Sequence, residues 1–358
     1  MRIVFLIRGI SNGGLERRTV NLVNKLSENN LHFIILMTDH TQENEYELSK
    51  KVHRISLLNG NLLYDTVKLL EFVVREKFDI IVGMGIYANW LVCLIRLISK
   101  NKVVVVEAND PKHDSLRYYS RILRKLLYWR ADGYIFQTEE ERNFYSKNIQ
   151  KKSIIIHNPV KDLLPLRCQD VKKEIIAVGR LMPQKNYTML IKAFDVVHKK
   201  NPEYLLRIFG NGIEEDKLKN LIIKLGLEKY VSLEGFCIDV HEKIKNSDIF
   251  VMTSNYEGMP NALMEAMAMG FPVISTDCGG GGPRELINNN VNGILVPVGD
   301  EFFLADKMDW LINNIEEKEN LASHAVSIRD SHSQGVICKL WEEYLEGLLL
   351  GGLKNVQM

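Results

Sequence analysis

Short apolar runs at residues 2–9, 32–37, 79–83, 102–107 and 133–137 are separated by helical stretches, and past residue 173 the same alternation begins again. In the second half, runs at 174–179, 204–209, 231–235, 248–253 and 272–276 alternate with helical patterns near 187–200, 214–225, 240–246, 260–269, 283–289 and 301–314. Strands that alternate with helices argue for parallel sheets covered on both faces. A chain of 358 residues exceeds one typical core and reads as two domains. The first spans 1–160 and closes on Ile154 to Val160. Asn158-Pro159 and the irregular stretch 161–172 read as the interdomain connection. The second spans 173–335. Residues 336–358 form a closing helix and tail, with Leu340, Trp341, Tyr344, Leu345 and Leu348 apolar. The expected fold class is α/β, with two Rossmann-like, doubly wound parallel-sheet domains. Ligands of such sheets sit beyond the carboxyl ends of the strands, so two domains facing each other would place a site in the cleft between them.

Composition excludes several classes. At 46% hydrophobic and 25% charged, the chain has a soluble globular balance. No stretch approaches the roughly 18 apolar residues of a membrane span. Ile86 to Ile98 is shorter, carries Arg96 and reads as a buried helix. The N-terminus, Met1 to Ile7, reads as a strand rather than a signal peptide. Five cysteines (Cys93, Cys168, Cys237, Cys278, Cys338) lack metal-ligand spacing and fit a reducing cytoplasm. The nine histidines are isolated, so no protein-built metal site is expected. Residues 1–160 hold 24 Lys and Arg against 17 Asp and Glu, and the remainder 22 against 28. A basic half and an acidic half meet different surfaces.

The segment Ser254 to Gly270 carries the clearest chemistry. Pro260 suits the first helical position, Gly270 the residue past the helix end, and Pro272 the stop. The amides of Asn261, Ala262 and Leu263 then point out of the helix N-terminus, where the dipole adds positive potential and makes an anion site. Glu257 lies beside that site on the loop and Glu265 about one turn inside. A phosphate between two carboxylates able to hold sugar hydroxyls suggests a nucleotide-sugar pocket. The same pattern also suits a half-buried helix on which Glu265 merely complements the dipole.

Arg180 ends a strand and Lys185 follows before the helix from Tyr187, so both cations lie at the carboxyl edge of the second sheet. Arg grips two phosphate oxygens while Lys acts as a point charge. A surface ion pair is the plainer alternative. Gly13-Gly14 between the first strand and its helix fits close backbone approach to a ligand or an ordinary turn. It matches neither the dinucleotide glycine pattern nor a Walker loop. Gly210-Asn211-Gly212 reads as a nucleotide-closing loop or a turn. Asp277 to Glu285, with four successive glycines, reads as a further backbone cradle, mobile enough to close.

Taken together these segments resemble the retaining glycosyltransferases of family 4, whose fold is called GT-B. Gly13 to Arg17 is similar to that family's N-terminal glycine loop, Gly179-Arg180 through Lys185-Asn186 to its Arg/Lys pair, and Glu257 with Glu265 to its two-glutamate element. The resemblance runs from Arg2 to about Gly299 and is closest to the branch that builds bacterial capsule, O-antigen and exopolysaccharide repeat units. It implies two domains facing across a cleft, with the C-terminal helix free to return to the N-terminal domain. It also implies that Arg180 and Lys185 bind the donor diphosphate and stabilise its departure. The amides around Met259, Pro260, Asn261, Ala262 and Leu263 hold phosphate and sugar hydroxyls. Glu257 contacts the transferred sugar and Glu265 the ribose. Gly13, Gly14 and Gly210 complete the donor side. Two cations and a helix terminus make a metal unnecessary, so no cofactor is expected. Many relatives carry a His near the end of the fourth strand; here that place holds Val106 to Pro111, and Asn109 or Asp110 would substitute as a polar contact, His113 lying too far along.

Lys112 to Arg130 is basic, aromatic and helical in pattern. Arg117, Arg121, Arg124 and Lys125 recur three or four apart and can share one face. Such a helix suits an anionic membrane surface or a lipid diphosphate, or is a packed helix with a solvated basic side. No nucleic-acid motif accompanies it. The expected function is a retaining, metal-independent transferase, cytoplasmic and peripheral on the inner face of the plasma membrane. It would move a hexosyl or N-acetylhexosaminyl group from a UDP-sugar to a polyprenyl-diphosphate-linked glycan. A nucleotide-sugar 2-epimerase of the same fold and a non-catalytic sugar-binding protein are the alternatives.

Overall fold

The structure is a computed structural model that describes residues 1–11, 13–28, 32–39, 44–107, 111–112 and 118–351. It divides into two compact units: Met1–Pro159 joined by the chain from Gln334 on, and Val160–Ser333.

The first unit holds a seven-stranded sheet of β1 (Arg2–Leu6), β2 (Phe33–Thr38), β3 (His53–Ser56), β4 (Ile80–Met84), β5 (Lys102–Val106), β6 (Gly133–Phe136) and β7 (Ser153–Ile155). Its spatial order is β3-β2-β1-β4-β5-β6-β7, with parallel pairing throughout. β1, β4 and β5 are almost wholly buried, because helices cover both faces. β3 has no apolar run; it is an edge strand of half-exposed residues, which hides it from hydrophobic patterning. Ile86–Ile95 is the helix expected there, ending before Arg96, whose Nε binds Asp132 at 2.8 Å. Among the described residues no helix is long and apolar enough to cross a membrane.

The C-terminal helix, Gln334–Leu349, packs on the helix Gly14–Glu28 and belongs to this first unit. Ile337, Trp341, Tyr344, Leu345 and Leu348 share a core with Val20, Val23, Leu26 and Phe5. Tyr344 pins it: its hydroxyl accepts from Tyr134 N at 2.8 Å and donates to Lys152 O at 2.7 Å. A Cβ at Gly133 would lie 2.5 Å from that hydroxyl, so only glycine admits the contact.

The second unit holds six parallel strands: β8 (Lys172–Val178), β9 (Leu205–Phe209), β10 (Val231–Gly235), β11 (Ser247–Met252), β12 (Val273–Thr276) and β13 (Ile294–Val296). Their order is β10-β9-β8-β11-β12-β13. β13, three residues long, and the helix Ile315–Ala325 were not read from the sequence. The stretch 161–172 is not a free connection. Leu164 is buried in this unit's core, and Arg167 N and Cys168 N donate to Met269 O and Lys245 O at 2.7 and 2.8 Å. Its lack of periodicity hides a segment held by tertiary hydrogen bonds.

Candidate donor-binding site

In both sheets the order doubles back at the first strand. In the second unit, β9 lies on one side of β8 and β11 on the other. Loops leaving β8 and β11 therefore run to opposite faces, and a crevice opens between them at the carboxyl edge.

The loop after β8 ends in a single turn, Pro183–Lys185, closed by Asn186 in a left-handed conformation at φ 48°. The loop after β11 is tied to it. Thr253 Oγ1 donates to Lys185 O at 2.9 Å, Asn255 N to Gln184 O at 2.7 Å, and Gln184 Nε2 to Tyr256 O at 2.9 Å. These bonds bring Lys185 Nζ to 2.5 Å from Glu257 Oε1, and Ser254 Oγ donates to the same oxygen at 2.7 Å. Glu257 is only 8% exposed. A third loop, after β12, supports it, because Glu257 N donates to Gly279 O at 2.8 Å. The sequence placed Lys185 on phosphate and Glu257 on sugar; it did not show that the two side chains meet. Burial and the neighbouring Glu257 carboxylate push the Cys278 thiol up to about 12. Burial likewise pushes the Tyr187 phenol above its ordinary range.

Arg180 stands on the same edge, exposed, with no side-chain hydrogen bond or ion pair among the described residues. Gly210, expected to close over a nucleotide or to turn, is a position that only glycine can fill. A Cβ there would lie 2.0 Å from Gly179 O, at φ +141°.

The helix Asn261–Met269 begins one residue later than read from the sequence. Pro260 is its cap at φ −80°, ψ 99°, an extended conformation, and Asn261 is the first helical residue. The first turn-closing bond runs from Met264 N to Pro260 O at 3.1 Å, so the peptide amides before it face out of the helix end. Met259 and Leu263 bury their side chains in the core, leaving the backbone as their contribution to a ligand. Gly270 ends the helix at φ +80° as expected. Glu265 lies in the second turn, where Oε2 is 3.0 Å from His241 Nε2. No signal in the sequence pointed to His241, since the contact joins two helices through the fold.

The four-glycine loop is packed at both ends. Gly279 bridges Tyr256, and a Cβ at Gly282 would lie 1.6 Å from Gly258 O.

In the first unit, Gly13 precedes the helix Gly14–Glu28 and its carbonyl accepts the helix's first bond, from Arg17 N at 3.0 Å. Asn109, Asp110, His113 and Arg117 lie outside the described residues. In the helix Tyr118–Leu127, Arg121 and Lys125 are exposed but Arg124 is not. Its Nη2 donates to Pro111 O at 3.2 Å and its guanidinium covers the Phe144 ring at 5.4 Å. The expected four-cation face is therefore divided: burial on an aromatic ring satisfies Arg124, while Leu126 and Trp129 stand exposed near Arg121 and Lys125. A cavity of about 570 Å³ adjoins this helix, lined by Lys112, Arg121, Arg124, Lys125 and aromatic rings.

Two doubly wound sheets, with cations, a carboxylate and a helix N-terminus at the switch point of the second, have the architecture of the GT-B class. Residues 12–162 match Glycosyltransferase Family 4, and residues 166–327 match the Glycosyl transferases group 1 domain. The chain belongs to this family. It is 26% identical over 361 residues to the amylovoran biosynthesis glycosyltransferase AmsD of Erwinia amylovora, covering 96% of this chain and 99% of that one. It is 24% identical over 369 residues to a Campylobacter jejuni transferase, covering 99% of each. That enzyme is named for adding α-1,4-N-acetyl-D-galactosamine to an undecaprenol-diphosphate glycan. Among solved structures, Anabaena Alr3699/HepE in complex with UDP superposes with a TM-score of 0.82 at 20% identity, over 97% of this chain and 100% of that one.

Proposed function

We propose that this glycosyltransferase moves a hexosyl or N-acetylhexosaminyl group from a UDP-sugar to a polyprenyl-diphosphate-linked glycan, with retention at the anomeric carbon and without a metal ion. The observation that carries the reading is the meeting of Lys185, Glu257 and the Asn261–Met269 helix N-terminus at the switch point, with exposed Arg180 on the same edge. The bond from the anomeric carbon to the diphosphate breaks and its electron pair leaves with the diphosphate. The acceptor hydroxyl oxygen bonds to that carbon, and the hydroxyl proton passes to a phosphate oxygen. Negative charge grows on the diphosphate in the transition state. Fixed cations and amides aimed at it therefore bind the transition state better than the ground state. An ammonium carries three protons, so Lys185 can donate to a phosphate while still bonded to Glu257. Glu257 meets the transferred sugar and Glu265 the ribose hydroxyls.

UDP in the HepE complex supports the donor class, and the undecaprenol-diphosphate acceptor in the name of the Campylobacter relative supports the acceptor class. Arg121 and Lys125 beside exposed Leu126 and Trp129 suit the anionic inner face of a membrane. The test is calorimetric binding of UDP, GDP and ADP, first without metal and then with magnesium. UDP binding without metal, lost in Arg180→Ala, is the expected result. Binding of no nucleotide, together with no transfer from any UDP-sugar to lipid-linked glycans, would overturn the reading.

A further inference from the structure

His241 sits on the short helix Val240–Ile244, which follows β10 and leads into β11. Glu265 sits on the helix that follows β11. Their contact thus fastens together the segments on either side of one central strand. The two side chains are 11% and 12% exposed, with Nε2 to Oε2 at 3.0 Å. An ionised carboxylate only accepts hydrogen bonds, so Nε2 must carry the proton and donate it. That bond selects the imidazole tautomer and helps to hold the glutamate in its rotamer.

The choice matters because a free glutamate side chain loses rotamer entropy when it is fixed. A glutamate already held by a neighbour meets its ligand without that loss. A carboxylate offers about four acceptor positions. With two oxygens, a carboxylate can bond an imidazole and still accept from a vicinal diol, whose two hydroxyls need acceptors side by side.

We infer that His241 is a positioning residue that fixes Glu265 to accept the ribose diol of the donor nucleotide, and so sets a preference for ribonucleotides over 2′-deoxyribonucleotides. The inference rests on the reading above that Glu265 meets the ribose. His241 acts through Glu265 and touches no reacting atom.

The experiment is calorimetry without metal, titrating UDP, 2′-deoxy-UDP and inorganic diphosphate into wild type, His241→Ala, His241→Gln and Glu265→Gln. Wild type is expected to bind UDP about tenfold or more tightly than 2′-deoxy-UDP, since a site built around a hydroxyl rejects the analogue lacking it. In His241→Ala the two should fall within about twofold of each other, with diphosphate affinity unchanged, because only the hydroxyl contact is lost. His241→Gln keeps an N–H donor and should recover part of the preference. Adding His241→Ala to Glu265→Gln should cost nothing more. An unchanged preference in His241→Ala would overturn the inference. So would equal weakening of UDP, 2′-deoxy-UDP and diphosphate, which marks a purely structural role. A wild type that binds diphosphate but no UDP would instead remove the donor-site reading beneath it.

Discussion

Lys185 Nζ and Ser254 Oγ converge on one oxygen of Glu257, at 2.5 and 2.7 Å, so the loops after β8 and β11 close on a single carboxylate. The lysine and glutamate side chains are 15% and 10% exposed. Charges this far out of water depend on one another, and removing either leaves an uncompensated buried ion. The pair is therefore a structural clasp between the two loops, and on the proposed function its lysine is also the cation that meets the donor phosphate.

Lys185→Met should lower stability by about 3 kcal/mol and transfer by about 10²–10³-fold. The double variant Lys185→Met/Glu257→Gln removes both charges. It should regain most of the stability but none of the activity. Urea unfolding with single-turnover transfer assays separates the two effects. Stability that fails to return in the double variant would mean the pair is not mutually compensating.

Gly282→Ala should abolish donor binding, because the new Cβ would lie 1.6 Å from Gly258 O and 2.7 Å from Pro260 Cδ. Neither neighbour can move without shifting the N-terminus of the helix Asn261–Met269. Gly226→Ala is the control: it has a positive φ, +69°, which Gly282 lacks, and no atom lies within 4 Å of its Cβ. It should cost only about 1 kcal/mol and leave UDP affinity unchanged. Comparing UDP titrations of the two variants decides whether close packing or backbone strain matters.

Much of this was legible in the sequence, for reasons particular residues make plain. Buried parallel strands announce themselves as apolar runs, so β1, β4, β5, β8 and β11 could be read directly. Gly270 and Pro272 marked a helix end because their backbone chemistry is local. β3 and β13 could not be read: one is an edge without an apolar run and the other is three residues long. Contacts between distant segments were equally invisible. His241 meets Glu265, and Gly282 meets Gly258, only because the fold brings them together. Arg124 was misread for the opposite reason, since helical spacing gave it a solvent face that Phe144 and Pro111 take away.

Asp248 opens β11 at the end opposite the site, where its Oδ2 accepts from Tyr204 Oη at 2.7 Å and Lys318 Nζ at 2.8 Å. Arg167 Nη1 lies 3.6 Å from its other oxygen. All three charged side chains are buried. Asp248→Asn preserves shape but leaves buried Lys318 without its carboxylate, while Arg167 keeps Glu319 and Gly270 O, so it should destabilise the protein by about 3 kcal/mol. Donor affinity measured well below the melting temperature should stay within about twofold of wild type, as expected for separate sites. A stable variant with lost UDP binding would contradict the assignment of this cluster to stability alone.

Alkaline stability should be set in part by two thiols. Burial, reinforced by the nearby carboxylates of Glu107 and Glu257, pushes Cys93 and Cys278 each up to about 12. In the unfolded chain both ionise near pH 8.5. The stabilisation is fully present below that value. From there towards pH 12 the unfolded state releases protons that the folded state retains, so stability falls as pH rises. Each thiol contributes at most about 1.4 kcal/mol per pH unit to that slope. Urea unfolding at pH 8 and at pH 10.5 measures it. The double variant Cys93→Ala/Cys278→Ala should start less stable at pH 8, from the cavities it creates, yet lose stability less steeply up to pH 10.5. The slope is the deciding quantity, because cavities lower stability equally at both pH values whereas thiol ionisation does not. Identical slopes in variant and wild type would show that neither thiol is protected in the folded state.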